Sequence, residues 1–132
     1  MAIKDAMPSL NAQLSKAVNV QAEAMRSEIY GVLEEYRNGR GIKWPGLPHR
    51  SSSVLDPPAR QSGRLMESVK VLTRATPRKP IATVGPDPAA FEKYYYPAVM
   101  EYGTREMEFG GRRVKPRPFM RTAVARYRQK MR

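Results

Sequence analysis

The chain has 132 residues with 24 Lys and Arg against 12 Asp and Glu, a formal charge of +12, and it contains no cysteine. That length fits one domain with one modest core; the missing cysteines exclude disulfides and thiolate metal sites; the charge favours acidic partners such as nucleic acid or an acidic protein ring. Twelve prolines and nine glycines predict short elements joined by at least one long irregular connection.

Residues 1–8 read as a flexible leader, since the start lacks the apolar core of a signal peptide. No apolar run approaches the roughly 20 residues of a membrane span. The expectation is a soluble chain made in a host cytoplasm. Pro8-Ser9 reads as a helix start with Ser9 as candidate N-cap. Leu10, Leu14, Val18, Ala22, Met25, Ile29, Leu33 and Tyr36 then recur by threes and fours, which is one stripe of an amphipathic helix that ends at Asn38-Gly39. A rod of roughly 40 Å outreaches so small a core. Part of its stripe is therefore expected to pack on another subunit.

Residues 40–60 hold four prolines and three consecutive serines and predict an extended loop without a regular element. Trp44, the single tryptophan, is expected to fasten this loop to the domain or to a partner. His49, the single histidine, has no acid or thiol beside it and is a poor metal or catalytic candidate. Residues 62–68 predict a short helical turn. Residues 69–74 alternate as a strand, 76–80 make a turn, and 81–84 make a second strand ended by Gly85-Pro86; the two pair as an antiparallel hairpin. A lone hairpin is marginal in water, so the long helix should cover one face. Residues 87–92 read as a loop or single turn, and 95–102 as a short helix started by Pro97 in preference to a strand favoured by its aromatics. Residues 105–115, centred on Gly110-Gly111, read as a hairpin or a second extended, projecting loop. A last helix from Pro118 sets Phe119, Ala123 and Tyr127 on one face, widened by Met120 and Val124. The fold class expected is α+β: a long N-terminal helix and a C-terminal helix packed on a small antiparallel sheet, with long irregular loops, in a single domain over 1–132.

No phosphate-binding, nucleophile-elbow or metalloprotease motif occurs. Glu101, Glu106 and Glu108 sit together, and two of them could make a paired-carboxylate site, but with Arg105, Arg112 and Arg113 nearby, neutralised ion pairs are the simpler reading. No enzyme, cofactor or metal site is expected. From residue 112 to 132 stand nine basic residues and no acid. The helix dipole favours late bases by tenths of a kcal/mol each, which does not require so many. A basic docking surface on Arg112, Arg113, Lys115, Arg117, Arg126, Arg128 and Lys130 is expected, facing an acidic protein or making non-specific phosphate contacts with DNA.

The densest stretch is 94–121. Three tyrosines lead through Pro97 to Glu101-Tyr102-Gly103-Thr104, and Pro116-Arg117-Pro118-Phe119-Met120-Arg121 opens the last helix. With His49-Arg50-Ser51-Ser52, Asp56-Pro57-Pro58-Ala59, Ser62-Gly63-Arg64-Leu65 and Val84-Gly85-Pro86, their order resembles the phage tail-completion or neck proteins, minor tail components that join head and tail. The resemblance spans residues 50–127. It departs in the long basic 105–115 segment and in the Trp44 loop. It implies a virion structural protein at the neck or tail, a homo-oligomeric ring of six- or twelve-fold symmetry that joins portal-proximal, connector and tail-tube proteins. The expected subunit interface is Trp44, Tyr96, Glu101, Tyr102, Gly103, Thr104, Pro118, Phe119 and Arg121. A basic nucleic-acid-binding module is the alternative.

Overall fold

A computed structural model describes residues 3–53, 55–91, 96–104 and 115–132. Its elements in chain order are α1 (Ile3–Glu35), α2 (Arg64–Ser68), β1 (Val69–Thr73), β2 (Thr83–Pro86), a 3-10 turn (Pro88–Ala90), α3 (Tyr96–Tyr102) and α4 (Met120–Lys130). The α+β expectation holds: the structure has a long first helix, a last helix packed on it, and a two-stranded antiparallel sheet. The loop expected over 105–115 lies, except for Lys115, outside the described residues.

The core sits at the C-terminal half of α1. Ile29, Val32 and Leu33 meet Met66 of α2, Val69 of β1, Met100 of α3, and Phe119 and Ala123 at the start of α4. Phe119, Ile29, Val32 and Val69 are the largest side chains removed fully from water, each stabilising by about 1.5–3 kcal/mol through burial. The stripe predicted for α1 is therefore half used. Leu10 and Leu14 remain about half exposed, at 55% and 49%, because nothing described covers the first turns.

Two boundaries differ from the sequence reading. The helix begins at Ile3 with Pro8 inside it, so residues 3–8 are not an irregular leader and Ser9 is not an N-cap. A proline removes one main-chain donor, and here the helix continues through that gap. Lys4, Ala6 and Met7 are good helix formers, which favours the earlier start. The second strand is Thr83–Pro86 rather than 81–84. The Ile81 amide already donates to the Lys79 carbonyl at 2.8 Å, so it is not free for the ladder, and the Ile81 side chain is exposed.

The sheet pairs Val69 with Pro86, Lys70 with Gly85, Val71 with Val84 and Thr73 with Thr83, slipping register between Val71 and Thr73. As expected, α1 lies across it. An unforeseen clamp secures that contact: the Asn19 amide donates to the Ala75 carbonyl at 3.0 Å and its oxygen accepts the Ala75 N–H at 2.8 Å. Arg26 adds a bond from Nε to the Val69 carbonyl at 3.2 Å.

The 40–60 segment has no regular element but is not shapeless. The Gly41 amide donates to the Ser51 carbonyl at 2.8 Å and the Ser51 amide to the Ile42 carbonyl at 3.0 Å, so the two limbs pair as an arm. At its root a Cβ on Gly39 would stand 2.3 Å from the Ser51 carbonyl oxygen. Only glycine allows that approach.

Candidate functional site

The two motif segments meet in space around one carboxylate. Helix α3 ends at Tyr102 and is closed by Gly103, whose φ of 71° suits a residue without a Cβ; its amide donates to the Val99 carbonyl at 2.7 Å. Glu101 thereby points at the start of α4. Its Oε2 accepts the amides of Phe119 and Met120, both at 2.9 Å, and its Oε1 accepts the Arg121 amide at 3.0 Å and Arg121 Nε at 2.9 Å. The Arg121 Nη2 closes the ring on the Glu101 carbonyl, and the Arg117 amide donates to the Met100 carbonyl at 2.6 Å.

A helix leaves its first amides without internal partners, and Phe119 at the N-cap position has no side-chain acceptor. Glu101 supplies it from another helix. Burial pulls its pKa upward, but the amides of Arg121, Met120 and Phe119 with the Arg121 guanidinium outweigh that and hold the carboxyl below its ordinary value. The arrangement is a structural lock between α3 and α4.

This geometry divides the expected interface. Glu101 is 4% exposed and Phe119 is 0% exposed within a single chain, so neither offers side-chain surface to a neighbour; they fix the angle between α3 and α4. That corrects their assignment as contact residues. The ion pairs expected around Glu101 drew on residues near it in sequence, whereas its partner is Arg121, 20 residues on. Tyr96 packs on the core and stacks on Phe91, with ring centroids 6.3 Å apart. Gly103, Thr104 and Pro118 are half-buried. Surface is offered by Tyr102, 71% exposed with the Arg121 guanidinium 5.6 Å from its ring centroid, and by Trp44, 38% exposed on the arm beside exposed Ile42.

The basic tail is also partly internal. Arg126 is ion-paired with Glu35 and lies over the Tyr36 ring, and Lys130 meets Glu28 at 2.7 Å. The hydrogen bond from Arg126 is the main reason that Glu35 titrates below its ordinary value. Arg126 and Lys130 thus tie α4 to α1 at the surface, with the Lys130 side chain still 69% exposed. Arg117 points at the carbonyls of Lys115 and Ser52, at 3.1 and 3.5 Å. Lys115 and Arg128 are exposed. Arg112 and Arg113 lie outside the described residues.

The sequence reading missed two hollows flanking the arm. One, of about 530 Å³, is walled by Leu33, Leu47, Pro58, Leu65, Met66, Phe91 and Tyr96 among others. The other, of about 480 Å³, lies at the arm's root and carries Arg37, Arg50 and Arg60. Spacing alone could not show them, because each gathers three or more separate stretches.

Compared with known protein families, curated proteins and solved structures, the chain gives no match. No helix among the described residues is long and apolar enough to cross a membrane. Among them, no group of three or more His, Asp or Glu is placed to hold a metal ion.

Proposed function

We propose that this chain is a structural protein of a tailed-phage or phage-like particle, assembling as a ring at the head–tail junction. The reading rests on the resemblance of residues 50–127 to neck and tail-completion proteins. One observation carries it further: the two segments most responsible for the resemblance form a single locked unit, Glu101 capping α4, that leaves Tyr102 facing outward. A fixed frame with an exposed aromatic suits an assembly seam.

Exposed Leu10, Leu14 and Val20 on α1 and Ile42 on the arm extend the apolar surface that one chain leaves uncovered. Head-to-tail contacts between identical subunits close into rings when the rotation permits. Sedimentation velocity at low and high salt, with negative-stain microscopy, tests the reading. The expected result is a closed annulus whose mass is a multiple of 15.0 kDa and which resists salt, since its seam is apolar. A strictly monomeric chain at every concentration refutes self-assembly.

A further inference from the structure

The cleft at the root of the arm is built from the exit of α1, the returning limb of the arm and the segment leading to α2. Three cross-links fix these pieces. The Arg60 amide donates to the Arg37 carbonyl at 2.9 Å, the His49 amide to Gln61 Oε1 at 3.2 Å, and Gln61 Nε2 to the Arg50 carbonyl at 3.2 Å. These bonds fix the main chain around the cleft, and the Arg50 guanidinium reaches the Gly41 carbonyl at 3.4 Å. Arg37 has Glu34 at 2.8 Å, whereas Arg50 and Arg60 have no carboxylate within ion-pair distance among the described residues. Arg60 lies against Gly63, where an added Cβ would stand 3.2 Å from its Nε. Among the described residues, no acid and no apolar side chain lines the cleft.

We infer that this cleft binds the phosphate backbone of nucleic acid, without reading bases. Arg50 and Arg60 line the hollow with no acid beside them among the described residues, and an anion with many acceptor oxygens joins them. A carboxylate satisfies a single fork, while each phosphate offers oxygens to several. A duplex presents a charge about every 1.7 Å along its axis, and the exposed Lys43 with Arg40 continues the basic track along the arm. An acidic protein face is the poorer occupant. Protein interfaces centre on apolar or aromatic anchors set in dry pockets, and this cleft has none. The inference does not depend on ring assembly, since the cleft is complete within one chain.

The test is fluorescence anisotropy of the full chain with labelled duplexes of unrelated sequence, titrated with salt. Wild type should bind all of them alike near 50 mM salt. An R50A/R60A double variant should bind about tenfold more weakly, with a slope of log K against log salt shallower by about 2, one for each guanidinium removed. R50K/R60K, which keeps charge but not the forks, should fall between. R128A/R132A, removing equal charge from the end of α4, should change binding less. Unchanged far-UV circular dichroism checks that each variant folds. The inference is overturned by no binding at low salt, by equal losses from both alanine doubles, or by polyglutamate competing as well as DNA.

Discussion

Replacing Glu101 by Gln removes the charge that caps α4 while keeping the side chain's shape. The substitution leaves one oxygen for the amides of Phe119, Met120 and Arg121 and turns an NH2 toward the donors that Oε1 or Oε2 now accepts. A hydrogen bond to a charged group contributes about 1.5–3 kcal/mol, and loss of an ordinary N-cap costs about 1 kcal/mol. The ion pair itself adds little, because the Arg121 side chain is 58% exposed and solvent screens it. The amides decide the magnitude. We expect a loss of about 3 kcal/mol, which for a chain of this size lowers Tm by about 10 °C. Thermal denaturation by circular dichroism measures it, with Glu67→Gln on the exposed face of α2 as control. The pH dependence is a second readout. Glu101 has a folded-state pKa below its ordinary 4.5, so its stabilisation is complete above that value and is lost as pH falls through the folded-state pKa. The difference in stability between wild type and the variant should therefore shrink in acid. A variant no less stable than a typical surface substitution, within about 0.5 kcal/mol, or a difference that persists at low pH, refutes the capping argument.

Phe119→Ala should cost about 3–5 kcal/mol in the isolated chain, because the ring is already buried there; a denaturant midpoint close to wild type would show that it is not. Asn19→Ala should destabilise by about 1–3 kcal/mol through the unpaired groups of Ala75, and amide exchange should quicken at the hairpin turn. The double variant R126A/K130A should change stability by no more than about 1 kcal/mol per pair, and less at high salt, as measured by urea unfolding. Tyr102→Ala should leave Tm near wild type yet weaken association in sedimentation, separating the outward ring from the frame beneath it.

The elements that periodicity governs were legible. The stripe from Val18 to Tyr36 found the core face of α1, alternation found the hairpin, and the spacing of Phe119 and Ala123 found the buried face of α4. What stayed hidden depends on pairs distant in sequence. Asn19 sits 56 residues from Ala75, and nothing near Asn19 announces a clamp. Glu101 left a faint signal: a helix that starts after Pro118 with Phe119 in the capping position lacks any local acceptor, so one must come from elsewhere. Glu101, two residues before the Gly103 stop, is the acid that supplies it. The arm was read as irregular because its prolines exclude long elements, but two glycines allow its limbs to approach, and main-chain pairing does the rest.

Charge was the least legible property because composition counts charges without pairing them. The tail from 112 to 132 has no acid of its own, which made it look like a free docking surface. Its partners are on α1, where Glu28 and Glu35 face Lys130 and Arg126, and on α3, where Glu101 holds Arg121. Every such internal pair moves the surplus of +12 elsewhere on the surface. Much of it then falls on side chains outside the tail, among them Arg50 and Arg60 at the arm's root. An exposed cation beside an acid is already neutralised, while one fixed beside other cations still needs an anion, and that difference sets the cleft apart from the tail.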